Sequence, residues 1–240
     1  MKRVLCSLQA WCIGSALSIS TLNLPIIVFA QSESSSSPQQ TSTAAEPITI
    51  DFEHFETGPV PKDFTPFLEG LGKESAWQIK SEPSALSGTK VLAQTSYDQI
   101  DNRFPILVYN DVTAKNVRVA VQFKTLSGKI DQAAGIIFRF QDPDHFYVVR
   151  ANALEDTMQL YRVVEGMHHV VTSKNIHVES GKWHSLDVMI DDVHVTVFFD
   201  GQQLFDVRDE TFPTAGKIGL LTKSDGVTLF DDLQVTVLDR

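Results

Sequence analysis

From Ile48 onward, apolar and polar residues alternate in short stretches. In "VRVAVQFKT" (117–125), "HSLDVMI" (184–190) and "VHVTVFF" (193–199) nearly every second residue is apolar. That is the two-residue period of a half-buried strand. Other apolar runs, such as "RFPILVY", "AGIIFRF" and "FYVVRA", are further strand candidates. "DPD", "LEDT", "VEG", "ESG", "DG" and "SDG" punctuate the runs with turn residues. No amphipathic helix longer than about two turns fits a 3.6-residue period. Many short strands at this spacing predict an all-β sandwich or barrel.

Parity sharpens the centre of this pattern, "GIIFRFQDPDHFYVVR" (135–150). A two-residue turn at Pro143 and Asp144 pairs Asp142 with His145, Phe140 with Tyr147 and Arg139 with Val148. One face then carries Ile136, Phe138, Phe140, Tyr147, Val149 and Ala151, a core face. The other carries Ile137, Arg139, Gln141, Val148 and Arg150. A second turn at Glu155 and Asp156 pairs Arg150 with Tyr161 and Asn152 with Gln159. Three strands thus display Arg139, Arg150, Asn152, Gln159 and Tyr161 on one surface, while Arg162 falls on the core side. Planar donors and acceptors suit sugar hydroxyls, and a tyrosine ring suits the apolar face of a pyranose. The alternative is a solvated outer face. Lys223, in the loop before the last strand, can reach the mouth of such a surface.

The ends and the composition place this domain. Residues 1–30 read as a secretory signal peptide, with Lys2 and Arg3 at its start, an apolar middle and small residues Val28 and Ala30 before the cut. Polar interruptions and Pro25 argue against a retained membrane anchor. Both cysteines, Cys6 and Cys12, lie within it, so the mature chain has no thiol chemistry. Residues 31–47 are a Ser/Gln/Thr/Pro-rich linker without large apolar residues, expected to be disordered. Residues 48–240 form the folded domain. Loss of Lys2 and Arg3 takes the net charge from −10 to −12, which disfavours nucleic acid and suits a neutral glycan. The expected location is the periplasm or the extracellular medium.

"GKWHSLDVMIDDVHVTVFFDGQQLFDV" (181–207) resembles the laminin-G and concanavalin A-like lectin/glucanase superfamily. The resemblance rests on Gly181, Trp183, His184, Asp200 and Gly201. With "GIIFRFQDPDHFYVVR" and "GLLTKSDGVTLFDDLQV", residues 48–240 are similar to secreted bacterial 3-keto-disaccharide hydrolase-like domains. The resemblance implies a jelly-roll β-sandwich of two curved antiparallel sheets with ligand on the concave face. It implies a carbohydrate-binding, lectin-like module using Arg139, Arg150, Asn152, Gln159, Tyr161 and Lys223. A glycan-degrading enzyme is a second implication, with Lys223 or His184 in proton transfer, and a structural or adhesive domain is a third. No catalytic residue is assigned: Asp51, Glu53 and Glu56 do not reproduce the E-x-D-x-x-E array of laminarinase-type enzymes, and no carboxylate pair stands out. His168 and His169 point to opposite faces of a strand and make no zinc site. In jelly-roll modules the first and last strands adjoin and can hold a structural calcium, so Glu53 and Asp232 are its expected ligands, Asp51 less so.

Overall fold

The computed structural model describes residues 46–238. The expected signal peptide and nearly all of the expected linker lie outside the described residues. Within them there is no helix, and sixteen strands follow in order. These are β1 (Ile48–Ile50), β2 (Gly58–Pro59), β3 (Phe64–Gly70), β4 (Trp77–Ser81), β5 (Lys90–Gln94), β6 (Arg103–Ala114), β7 (Val117–Ser127) and β8 (Ala133–Asp142). There follow β9 (His145–Asn152), β10 (Thr157–Val164), β11 (Met167–Asn175), β12 (His184–Asp191), β13 (His194–Phe199), β14 (Gln202–Arg208), β15 (Gly216–Leu221) and β16 (Val227–Val237).

They make two antiparallel sheets. The larger runs β14-β13-β12-β7-β16-β5-β4-β2, with β1 also paired to β16; the smaller runs β11-β10-β9-β8-β15-β6-β3. The first and last strands adjoin as expected, Ile50 opposite Leu233. The alternating strands do what their period dictates. Val117, Val119, Val121 and Phe123 face inward with Leu186, Val188 and Ile190 of the next strand. Asp200 and Gly201 both take positive φ in the turn between β13 and β14, as an Asp-Gly hairpin requires. The inter-sheet core also takes Ile136, Phe138, Tyr147, Val149 and Leu160 from the smaller sheet.

The other face of the smaller sheet is apolar too. Ile106, Ile137, Phe146, Val148, Val163 and Leu221 are all fully buried there. The sheet curls until its two edges meet across that face: His168 on β11 lies 3.0 Å from Glu69 on β3. Phe67 of β3 packs on Phe140 of β8, ring centroids 5.4 Å apart. The concave side is therefore a second core along much of its length and not an open groove. This explains the unbroken apolar runs, whose strands are buried on both faces.

Register departs from the sequence expectation at two places. Asp142 pairs with His145, but a bulge between Phe138 and Asp142 pairs Phe138, not Phe140, with Tyr147. Arg139 sits in this bulge with φ of +48°. Gly216 permits it, since a Cβ there would come within 2.4 Å of the Arg139 carbonyl carbon. The bulge moves Phe140 onto the concave face and turns Arg139 the other way. In the next hairpin Asn152 pairs with Thr157, Arg150 with Gln159 and Val148 with Tyr161. The loop is four residues instead of two, so parity survives the shift.

Candidate functional site

At one end of the concave side the apolar filling gives way to a polar cavity of about 470 Å³. Neighbouring strands β9 and β10 supply Arg150, Gln159 and Tyr161; β11 supplies His168, β6 Phe104, and the loop after β15 Lys223. Arg150 donates from Nη2 to Gln159 Oε1 at 3.0 Å, and its guanidinium lies 5.5 Å from the Tyr161 ring centroid. Beneath them is Asp131, fully buried. Its Oδ2 is 3.1 Å from Lys223 Nζ, 3.7 Å from Arg150 Nη1 and accepts from Asn152 Nδ2 at 3.2 Å. Lys223 also reaches Asp101 at 2.7 Å, and Glu155 lies 3.6 Å from Arg150.

The electrostatics of this cluster follow from burial and charge. Burial works against the charge of Arg150, but Tyr161, Asp131 and Glu155 outweigh it and hold its pKa above the ordinary value. Burial of Lys223 is likewise outweighed by Asp101 and Asp131. Asp131 is the member that burial penalises: its carboxyl is pushed up despite both cations. Burial pushes Tyr161 up to about 12, against the pull of Arg150, so it stays a neutral phenol. Among the described residues its buried hydroxyl has no hydrogen-bond partner, nor does the buried Arg150 Nε.

Two buried residues fix the floor. Asp225 accepts the backbone amides of Lys129, Ile130 and Asp131 at 2.9–3.2 Å, which holds the loop carrying Asp131. Arg103, wholly buried, donates to the carbonyls of Lys73, Glu74 and Ser224 and so anchors the chain beside Lys223. Neither role is legible locally, because each side chain acts on backbone far away in the chain.

Of the expected ligand residues, Arg150, Gln159, Tyr161 and Lys223 meet at the cavity. Asn152 shares their face but stands behind it, binding Asp131 and accepting the amides of Leu154 and Glu155 in the turn. Arg139 is not brought there. It is 2% exposed on the opposite face and donates to the carbonyls of Lys115, Asp192 and Phe212. His184 belongs to the other sheet, where Asp200 Oδ2 at 2.8 Å and the Glu179 carbonyl at 3.1 Å occupy its two ring nitrogens. The cavity instead contains a histidine the sequence did not single out as functional. His168 packs against Phe104, ring centroids 4.4 Å apart, and is bonded to the buried carboxylate of Glu69. No local signal joins residues 99 positions apart.

The expected calcium ligands are not assembled as a set. Glu53 Oε1 accepts the amides of Thr89 and Lys90. The Lys90 ammonium takes the carbonyls of Glu53 and Phe55 at 2.8 and 2.7 Å, so a cation of the chain's own sits on those oxygens. Asp231, not Asp232, turns its carboxylate to this loop, accepting from Leu86 and Ser87. No group of three or more His, Cys, Asp or Glu suited to a metal occurs among the described residues.

Two antiparallel sheets, one curled around a polar cavity, define a concanavalin A-like jelly roll. The chain belongs to the 3-keto-alpha-glucoside-1,2-lyase-like domain family, which it matches over residues 65–236. Among solved structures it is similar to the carbohydrate binding module CBM66 from Bacillus subtilis, with 14% identity and a TM-score of 0.58 over 71% of this chain and 93% of that one. Cellulose induced protein Cip1 gives 12% identity and 0.59, covering 78% and 96%. The Bacteroides ovatus mixed linkage glucan GH16 protein, in complex with a G4G4G3G product, gives 10% and 0.55, covering 79% and 99%. These identities speak to fold. No curated protein matches the chain.

Proposed function

We propose that this chain is a secreted carbohydrate-binding module whose ligand sits in the cavity formed by Arg150, Gln159, Tyr161, His168 and Lys223. The observation that carries the reading is Arg150 laid over Tyr161 and bonded to Gln159 in the wall of a single cavity. Arg150 and Lys223 are already matched by Asp131, Glu155 and Asp101, so the site favours a neutral sugar over an anionic one. The fold shared with a carbohydrate binding module and with a GH16 protein in complex with its product supports the same reading.

Glycan-array binding followed by calorimetry tests it. Arg150→Met is expected to weaken binding about 100-fold, since truncating a buried charged hydrogen-bonding group costs about 2–5 kcal/mol. Gln159→Ala, with a smaller effect on the fold, is expected to weaken it about 10-fold. Full affinity in either correctly folded variant overturns the reading.

A second reading rests on the Glu69–His168 pair. An imidazole oriented by a buried carboxylate is the arrangement of a general base. On a 3-keto-glucoside, His168 would take the proton from C2, acidified by the neighbouring carbonyl. Lys223 and Arg150 would stabilise the enolate oxygen. The C1–O bond would then break with formation of a C1–C2 double bond, the leaving oxygen taking up a proton. A conjugated enone absorbs in the ultraviolet. Growth of that absorbance with the parent protein and its loss in His168→Ala supports lyase action; no growth with the parent excludes it.

The fold is proposed to need no calcium at Glu53 and Asp232. Chelator is expected to leave the Tm unchanged, because Lys90 already occupies the carbonyls beside Glu53. A Tm that falls on chelation and returns with calcium would refute this.

A further inference from the structure

The cavity has a neighbour. The loop between β5 and β6, residues 95–102, places Asp101 and Asn102 in the wall of the main cavity. Its earlier residues Ser96, Tyr97, Asp98 and Gln99 wall a second recess of about 460 Å³, closed on the far side by Lys73 and Glu74. Asp98 and Asp101 are three residues apart, so the walls of the two recesses share one short loop whose Cα atoms at these positions lie within about 10 Å.

The second recess is built, not incidental. Asp98 Oδ2 accepts the Lys73 amide at 2.7 Å, and the Thr95 amide donates to the Ala76 carbonyl at 3.0 Å. Gly72 is required where the loops touch: it has φ of +100°, and a Cβ there would meet Asp98 Oδ2 at 2.8 Å and Arg103 Cδ at 2.9 Å. Arg103 binds the carbonyls of Lys73 and Glu74 on one side and Ser224 on the other. One buried guanidinium therefore fixes the second recess against the loop that carries Lys223. Over this rigid frame the Tyr97 side chain is left 72% exposed, the most exposed of the large apolar residues, with Leu71 and Ile100 exposed on the same two loops.

We infer that Tyr97 is the platform of a second sugar subsite, and that the ligand is a linear neutral oligosaccharide spanning both recesses. The inference rests on the carbohydrate-binding reading of the main cavity. One sugar ring stacks its C–H face on Tyr97 and turns its hydroxyls to Gln99 and Glu74, while another occupies the cavity at Arg150. Asp98 is matched by the Arg103 guanidinium 3.7 Å away, which again suits an uncharged ring.

Calorimetry with maltose, maltohexaose, cellobiose and cellohexaose tests the inference. The parent protein is expected to prefer one hexasaccharide over its disaccharide by at least tenfold. In Tyr97→Ala that preference collapses to less than about threefold, a loss in the range of one stacked ring. Tyr97→Phe retains it, since stacking does not need the hydroxyl. Equal affinity of hexasaccharide and disaccharide in the parent, or an undiminished preference in Tyr97→Ala, overturns the second subsite while leaving the main cavity's role intact. Failure of the parent to bind either hexasaccharide overturns the subsite, and Arg150→Met binding as well as the parent overturns the reading beneath it.

Discussion

Arg139→Met is expected to lower stability by about 3 kcal/mol while leaving the glycan affinity of the folded protein unchanged. Arg139 is 2% exposed, and its guanidinium draws together three separate connections. Lys115 lies between β6 and β7, Asp192 between β12 and β13, and Phe212 between β14 and β15; each offers a carbonyl. Burial pushes the Arg139 pKa down, but Tyr147, Asp192 and Asp209 oppose this, and an arginine remains charged. Hydrogen bonds to a charged donor contribute about 1.5–3 kcal/mol each, and water entering at the turns recovers part of three such losses. Arg139→Lys is expected to restore less than half, because an ammonium lacks the planar fork that reaches three acceptors. The denaturant midpoint measures the first effect, and calorimetry at a temperature where the variant is folded measures the second. Loss of glycan binding in a folded Arg139→Met protein would mean that the two arginines act at one site after all.

That contrast between Arg139 and Arg150 shows what the sequence could and could not disclose. Alternation located most strands, and both even-length turns preserved parity, so Arg150, Gln159 and Tyr161 were correctly grouped on one face even though the second pairing slid. Arg139 was misplaced because the bulge depends on Gly216, which lies 77 positions on and lets two backbones approach. β3 escaped notice because Pro66 and Gly70 disguise it; an edge strand tolerates both, and β3 is an edge. Ile137 and Val148 share a face with Arg150 because the sheet's curl makes that face a second core. Asp131 in "SGKIDQ" has the look of a turn residue, and only the fold brings Lys223 and Arg150 to it.

Asp225→Ala is expected to cost about 4 kcal/mol and, in the fraction that folds, to weaken glycan binding about tenfold. Its carboxylate accepts three consecutive backbone amides, from Lys129 to Asp131, with Gln99 Nε2 at 3.4 Å. Asp225 is 3% exposed, so little water can replace it. Releasing those amides frees the loop that holds Asp131 under Arg150 and Lys223, which links a structural bond to the ligand site. The pH dependence tests the same bond. Burial pushes the Asp225 carboxyl up, but the three amides outweigh it and hold it below the ordinary carboxylate range. A depressed folded-state pKa contributes stability that is complete above the unfolded value of about 3.9 and is lost as pH falls through the folded value. Asp131 has the opposite sign: its raised pKa contributes below the unfolded value and loses that contribution as pH rises through the folded one. Acid titration of the parent is therefore expected to show an acid limb that Asp225→Asn flattens and Asp131→Asn steepens. An unchanged acid limb in Asp225→Asn, or full glycan affinity in a folded Asp225→Ala, would show that the loop is held by other contacts.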